Sequence, residues 1–166
     1  QEIKIDDQYY HPVSKHKLEI VEEESYFFKI SKFSSWLVDY VEKNNNFIIP
    51  KTIWKELKNN FLNNNLEDLS VTRISFEWGI KVKKDPKHVI YVWLDALFNY
   101  LSALGYKTEN DELFQKFWQS EDSEIIHIVG ADITRFHTIY WPDFLMAQGL
   151  RLPDKVFVHG LLMTKD

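Results

Sequence analysis

The chain has 166 residues, 45% of them hydrophobic and 27% charged, a balance that suits one folded domain or a piece of a larger one. Its net charge of -5 argues against a broadly basic nucleic-acid-binding face, and with no cysteine it can build neither a disulfide framework nor a thiolate zinc site. No apolar run approaches the length of a membrane span, and no signal peptide is recognisable.

Residues 1–25 are polar and irregular and read as the tail of an insertion. Phe27, Ile30, Phe33, Leu37 and Val41 recur at spacings of three and four, which predicts a helix over 26–43. Pro50 breaks the next segment, and Thr52 is placed to cap a second helix carrying Ile53, Trp54, Leu57, Phe61 and Leu62. Residues 71–83 alternate in part and predict a strand, followed by a turn at 83–86. Residues 88–93 are β-branched and aromatic and predict another strand, after which Asp95 caps a helix that Gly105 ends. A short helix is expected over 111–118, a strand over 124–129, a turn at 130–132, a helix over 133–147 and a final strand over 155–161. This alternation implies βαβ units, a parallel sheet and an α/β fold. The chain starts at Gln1 and stops just after an apolar run, and so reads as an excerpt of a longer protein.

Two strand-to-helix corners carry residues suited to chemistry. At the first, Trp93 stands beside Ala96 and Tyr100, which are four apart and share a helix face. At the second, Gly130 and Asp132 precede His137 and Trp141, again four apart. In open α/β sheets ligands bind beyond the carboxyl ends of the strands, where both corners lie. Taken alone, the rings read first as core packing, Asp132 as a helix cap and His137 as a satisfied core histidine. Arg73 stands in a strand-like run and reads as a surface residue or as a partner for a carboxylate or phosphate. His11 and His16 lie five apart in a polar loop, a spacing too weak to assign a metal.

Several longer stretches, taken together and in order, resemble the methionyl-tRNA synthetase family of class I. They are 24–33, 66–73 and 76–80, then Tyr91-Val92-Trp93-Leu94-Asp95-Ala96-Leu97 with Asn99-Tyr100. The series continues with 126–130, 132–133, 135–137, Trp141-Pro142 and 156–160, so that the likeness spans about residues 20–163. The resemblance implies a Rossmann-like catalytic domain, with 1–25 as the tail of a connective insertion and 26–166 as the C-terminal half of that domain. It implies that Trp93, Ala96, Tyr100, His137 and Trp141 line a methionine site, that Gly130 and Asp132 contact the adenosine of ATP, and that Arg73 sits near the catalytic site and orients a carboxylate from the missing half of the domain. A thioether is apolar, polarizable and a weak acceptor, so rings suit it, and the Tyr100 hydroxyl and a His137 nitrogen could donate toward it.

The implied reaction joins methionine to ATP, bound with Mg2+, and passes the methionyl group to tRNA(Met). The family's H-I-G-H and K-M-S-K-S motifs are not in this chain, so the 166 residues are not expected to catalyse activation alone. Ala131 stands where the family usually has lysine. No zinc site is expected in this chain, and the setting expected is cytoplasmic, with no membrane contact. The rivals are another class I synthetase of leucyl or valyl type and a non-catalytic interaction module derived from a synthetase.

Overall fold

The computed structural model describes residues 3–5, 8–18, 22–63 and 66–161. Its centre is a parallel sheet in the order β10 (Ile126–Gly130), β11 (Lys155–His159), β5 (Ile48–Ile49). Burial alternates with the pleat. His127 and Val129 of β10 and Val156 and Val158 of β11 face the core, whereas Ile126, Ile128 and Phe157 face outward and are exposed. The crossover from β10 to β11 is helical. It opens as a 3-10 turn (Ala131–Ile133), widens to a π turn (Phe136–Tyr140) and continues as α5 (Trp141–Ala147). Ile139, Trp141, Phe144 and Leu145 on it are buried against Leu37 of α1 (Ser34–Lys43) and Leu97 and Leu101 of α3 (Val92–Ser102) in one apolar cluster.

The structure therefore holds the expected α/β architecture but draws its parallel strands differently. The strand expected over 88–93 runs instead from Asp85 to Ile90 as β9, in a second, antiparallel sheet ordered β7 (Thr72–Arg73), β9, β8 (Lys81–Val82). The third parallel strand is β5, a two-residue segment too short to show periodicity. Tyr91 is extended and caps α3, donating its N–H to Val71 O at 2.8 Å, so Trp93 falls in the first turn of the helix. Asp95 lies inside that first turn and does not cap it, and Pro50, not Thr52, precedes α2 (Lys51–Leu57).

Other local expectations yield to pairing. Phe27–Phe28 form β4, antiparallel to β6 (Leu69–Ser70), and only then do a 3-10 turn (Ile30–Phe33) and α1 follow, so the helix expected over 26–43 loses its first turn to a sheet. The strand expected over 71–83 is interrupted between β7 and β8, where Glu23 Oε1 accepts the N–H groups of Ile74 and Ser75 at 2.7 and 2.8 Å. The leading segment is more regular than its polarity suggests. It forms an antiparallel meander of β1 (Ile3–Ile5), β2 (Gln8–Tyr10) and β3 (Lys17–Leu18). Residues 19–21, within the expected insertion tail, and 162–166, the last of the chain, lie outside the described residues. Among the described residues no helix is long and apolar enough to cross a membrane.

Asp143 in the first turn of α5 is fully buried, and neither carboxylate oxygen has a hydrogen-bond partner among the described residues. Burial pushes its carboxyl up to about 8. The folded protein thus holds a proton at Asp143 that the unfolded chain releases near pH 4, and this contribution to stability is lost as pH rises toward 8. Below pH 6.5 the effect is opposed by buried His127, whose pKa is held near 4 and which costs stability as pH falls. Urea denaturation between pH 6.5 and 8 should accordingly show stability falling by up to roughly 1.4 kcal/mol per pH unit. Asp143→Asn should flatten that slope.

Candidate functional site

The first corner is the face of α3 that carries Trp93, Ala96 and Tyr100, at spacings of three and four. Trp93 stacks on Phe136 with ring centroids 3.3 Å apart and planes 11° from parallel. Ala96 is exposed, and Tyr100 is half-exposed. The second corner follows β10. Gly130 caps the helical crossover, and Asp132 lies in its first turn with no capping hydrogen bond from its side chain. A Cβ on Gly130 would lie 2.5 Å from Asp132 Oδ1 and 3.6 Å from His159 Cε1. Glycine thus lets the Asp132 carboxylate fold back over the strand end, exposed and unspent on the helix it was expected to cap. Gly130 pairs with His159 in the β10–β11 register, so this carboxylate stands at the carboxyl end of the parallel strands.

The corners meet at His137, which lies in the π turn and is almost fully buried. Its Nδ1 faces Ile133 O at 3.0 Å, and its Nε2 lies 2.8 Å from the Tyr100 hydroxyl. A carbonyl only accepts, so Nδ1 carries the proton. Burial lowers the pKa of His137, so the ring is neutral near pH 7 and Nε2 accepts from Tyr100. This removes His137 as a donor toward sulfur, a role the sequence left open. The Tyr100 hydroxyl has one proton, which this bond gives to His137, so the pair orients both rings and offers no donor to a further group while the bond holds.

Trp141 closes the cluster from behind. It is fully buried, its ring lies 6.0 Å from Tyr100, and its Nε1 donates to His127 Nε2 at 3.1 Å. His127 in turn sits 4.6 Å from the Tyr100 ring and 5.7 Å from that of His137. Burial, with a smaller contribution from His137, holds His127 near 4, so it too is neutral. His127 and Phe136 are the members that reasoning from spacing missed. The one available signal for His127 was its position: with Val129 it occupies the inward register of a strand otherwise made of apolar residues.

The structure thus gathers Tyr100, His137 and Trp141 around His127 and holds Trp93 against Phe136. Two hollows flank this group. One of about 380 Å³ lies between α2 and the crossover and is lined by Asp132, Arg135, Phe136, Glu56 and Phe61. The other, of about 430 Å³, is lined by Tyr100, His127, Trp118, Phe117 and Asn99. Arg73 lies apart, on β7. Its guanidinium stacks over the Tyr91 ring at 3.9 Å, bonds Ser70 Oγ and stands 3.6 Å from Glu23 Oε2. The carboxylate beside Arg73 therefore comes from this chain, and Arg73 steadies the residue that caps α3. His11 and His16 share a small hairpin, where His11 Nδ1 accepts the Ser14 N–H.

The family described as tRNA synthetases class I (M) matches residues 7–166. The chain is 55% identical over 155 residues to the methionine–tRNA ligase of Bacillus subtilis, covering 93% of this chain and 23% of that protein. It is 49% identical over 166 residues to the methionine–tRNA ligase of Mycoplasmopsis pulmonis, covering 100% of this chain and 32% of the relative. Among solved structures it is similar to Mycobacterium tuberculosis methionyl-tRNA synthetase bound by methionyl-adenylate, with TM-score 0.81 and 38% identity over 97% of this chain and 31% of that one. The chain thus spans less than a third of the length of each of these relatives.

The Trp141–His127 bond has a measurable consequence. Trp141→Phe leaves His127 Nε2 buried without its donor, at a cost of about 1–3 kcal/mol in urea denaturation. An unchanged midpoint would show that this bond carries no stability.

Proposed function

This chain belongs to the class I tRNA synthetases (M), and from that premise we propose that it supplies the methionine pocket and part of the adenosine site of a methionine–tRNA ligase. The observation that carries the reading is the Tyr100–His137 hydrogen bond inside a cluster of rings at the carboxyl ends of parallel strands. Aromatic faces favour a polarizable thioether over water, and the Tyr100–His137 bond fixes the two rings that bound the space for it. Trp93, Ala96, Tyr100, His137 and Trp141 form the methionine side in this reading, with Trp141 as the buried rear wall. Asp132, exposed and uncommitted, is suited to accept from ribose hydroxyls, and Gly130 gives the room for it to do so. Arg73 acts at a distance, as a positioning residue for Tyr91 and the start of α3.

In the proposed reaction the methionine carboxylate attacks the α-phosphorus of Mg2+-bound ATP, and pyrophosphate leaves. A hydroxyl of the terminal ribose of tRNA(Met) then attacks the acyl carbon of the resulting adenylate, and AMP leaves. Positioning and charge neutralisation dominate the first step. The neutral pair of Tyr100 and His137 contributes to positioning alone, since neither group is charged near pH 7. Residues 1–25 are assigned to the tail of a connective insertion and 26–166 to the C-terminal half of the catalytic domain. Charging tRNA for translation puts the protein in the cytoplasm.

ATP–pyrophosphate exchange by the full-length protein tests the reading across amino acids. Exchange with methionine is expected, and exchange with leucine or valine in its place would refute the proposal. In the same assay Trp93→Ala and His137→Ala should raise the KM for methionine much more than the KM for ATP. Gly130→Ala should do the reverse, by pushing the Asp132 carboxylate out of place. Tyr100→Phe removes the donor that orients His137 and should raise the KM for methionine by roughly five- to tenfold, the worth of that one hydrogen bond.

A further inference from the structure

Away from the ring cluster, at the base of β9, His88 holds an unusual position. Its side chain is 1% exposed. Its Nδ1 lies 3.1 Å from Thr72 Oγ1, while its Nε2 is buried with no hydrogen-bond partner. That nitrogen is aimed between two carboxylates, 3.7 Å from Glu24 Oε1 and 3.6 Å from Asp85 Oδ2. Both separations are too long for a hydrogen bond. Both are close to the roughly 3.3–3.6 Å that separates two nitrogen or oxygen ligands of one tetrahedral ion bound at about 2.0–2.2 Å. The three ligand atoms all lie within 4.8 Å of one another.

The surroundings prepare the imidazole for this role. Thr72 Oγ1 already accepts the Tyr26 N–H at 2.9 Å and has a second lone pair for a proton on His88 Nδ1. With the proton there, the Nε2 lone pair points at two negative groups, an arrangement that a cation between them resolves. Tyr26 packs edge-on against the His88 ring at 4.7 Å and donates to Asp85 Oδ2 at 3.0 Å, fixing both ligands. Lys87 Nζ rests on the two Glu24 oxygens at 3.0 and 2.8 Å and already supplies part of the positive charge this corner attracts.

We propose that Glu24, Asp85 and His88 form a site for a divalent transition-metal cation of the zinc class, with water completing the coordination through the exposed Glu24 side. An imidazole nitrogen among the ligands favours zinc over magnesium or calcium, which take oxygen. The ion ties the segment before β4 to β9, the strand that leads directly into Tyr91 and α3. This role is structural and does not depend on which substrate the ring cluster binds. Spacing could not reveal the site, because Glu24 lies far from Asp85 and His88 in sequence.

The test uses the full-length protein stripped of metal and titrated with zinc alone, and compares the wild type with variants. Glu24→Gln alters an exposed side chain that the fold does not need, and should weaken one zinc equivalent by about tenfold or more. His88→Ala should lose that equivalent altogether. Lys87→Met removes the competing ammonium and should tighten it. In labelled protein the His88 Nε2 resonance should shift on zinc addition. Zinc binding that is identical in the wild type and Glu24→Gln overturns the proposal. So does a His88 that stays protonated at Nε2 whatever the zinc concentration, which would make the cluster a plain ion pair.

Discussion

The Tyr100–His137 hydrogen bond is the constraint on which the arrangement of the candidate site depends. It joins α3 to the crossover helix, two elements that leave different sheets. His137 can accept from Tyr100 only because its other nitrogen is committed to Ile133 O and because burial keeps the ring neutral. A protonated His137 would have to find a second acceptor in an apolar surrounding, which would be costly. The π turn at Phe136–Tyr140 is part of the same constraint. It sets five consecutive side chains at angles a regular helix would not give, and four of the five are buried.

Neutrality extends beyond this pair. His127 and His137 lie side by side, and burial lowers the pKa of each. A cluster of uncharged rings and imidazoles keeps polar atoms for orientation without placing a charge that an apolar side chain would have to displace. An exposed carboxylate beside it, Asp132, stands at the strand end, on the hollow shared with Phe136, Arg135 and Glu56. Apolar and polar demands are thereby separated between two neighbouring corners, which suits a ligand with a neutral, weakly polar side chain on one side and hydroxyls on the other.

Two sheets divide the work of positioning. The parallel sheet places Gly130, Asp132 and the crossover, and the antiparallel sheet delivers β9 to Tyr91 and so sets the start of α3. Arg73 and Glu23 bind that second sheet to the segment before β4. The outward faces of Ile126, Ile128 and Phe157 remain exposed in the chain as described.

The sequence by itself determined the elements whose signals are local. The runs over 26–43 and 133–147 located helices that the structure holds at 34–43 and 131–147, the apolar runs at 124–129 and 155–161 located β10 and β11, and the ordered motifs pointed to the family and with it the candidate residues. It could not determine which strands share a sheet, because pairing depends on partners far away in the chain. β5 has two residues and β9 reads like a parallel strand, yet the first joins the parallel sheet and the second does not. Nor could it decide which nitrogen of His137 holds the proton, that His127 backs Trp141, or that Glu24 meets His88. Those facts arise from burial and close approach between distant segments, and only the packed chain creates the low-dielectric surroundings that give them their chemical meaning.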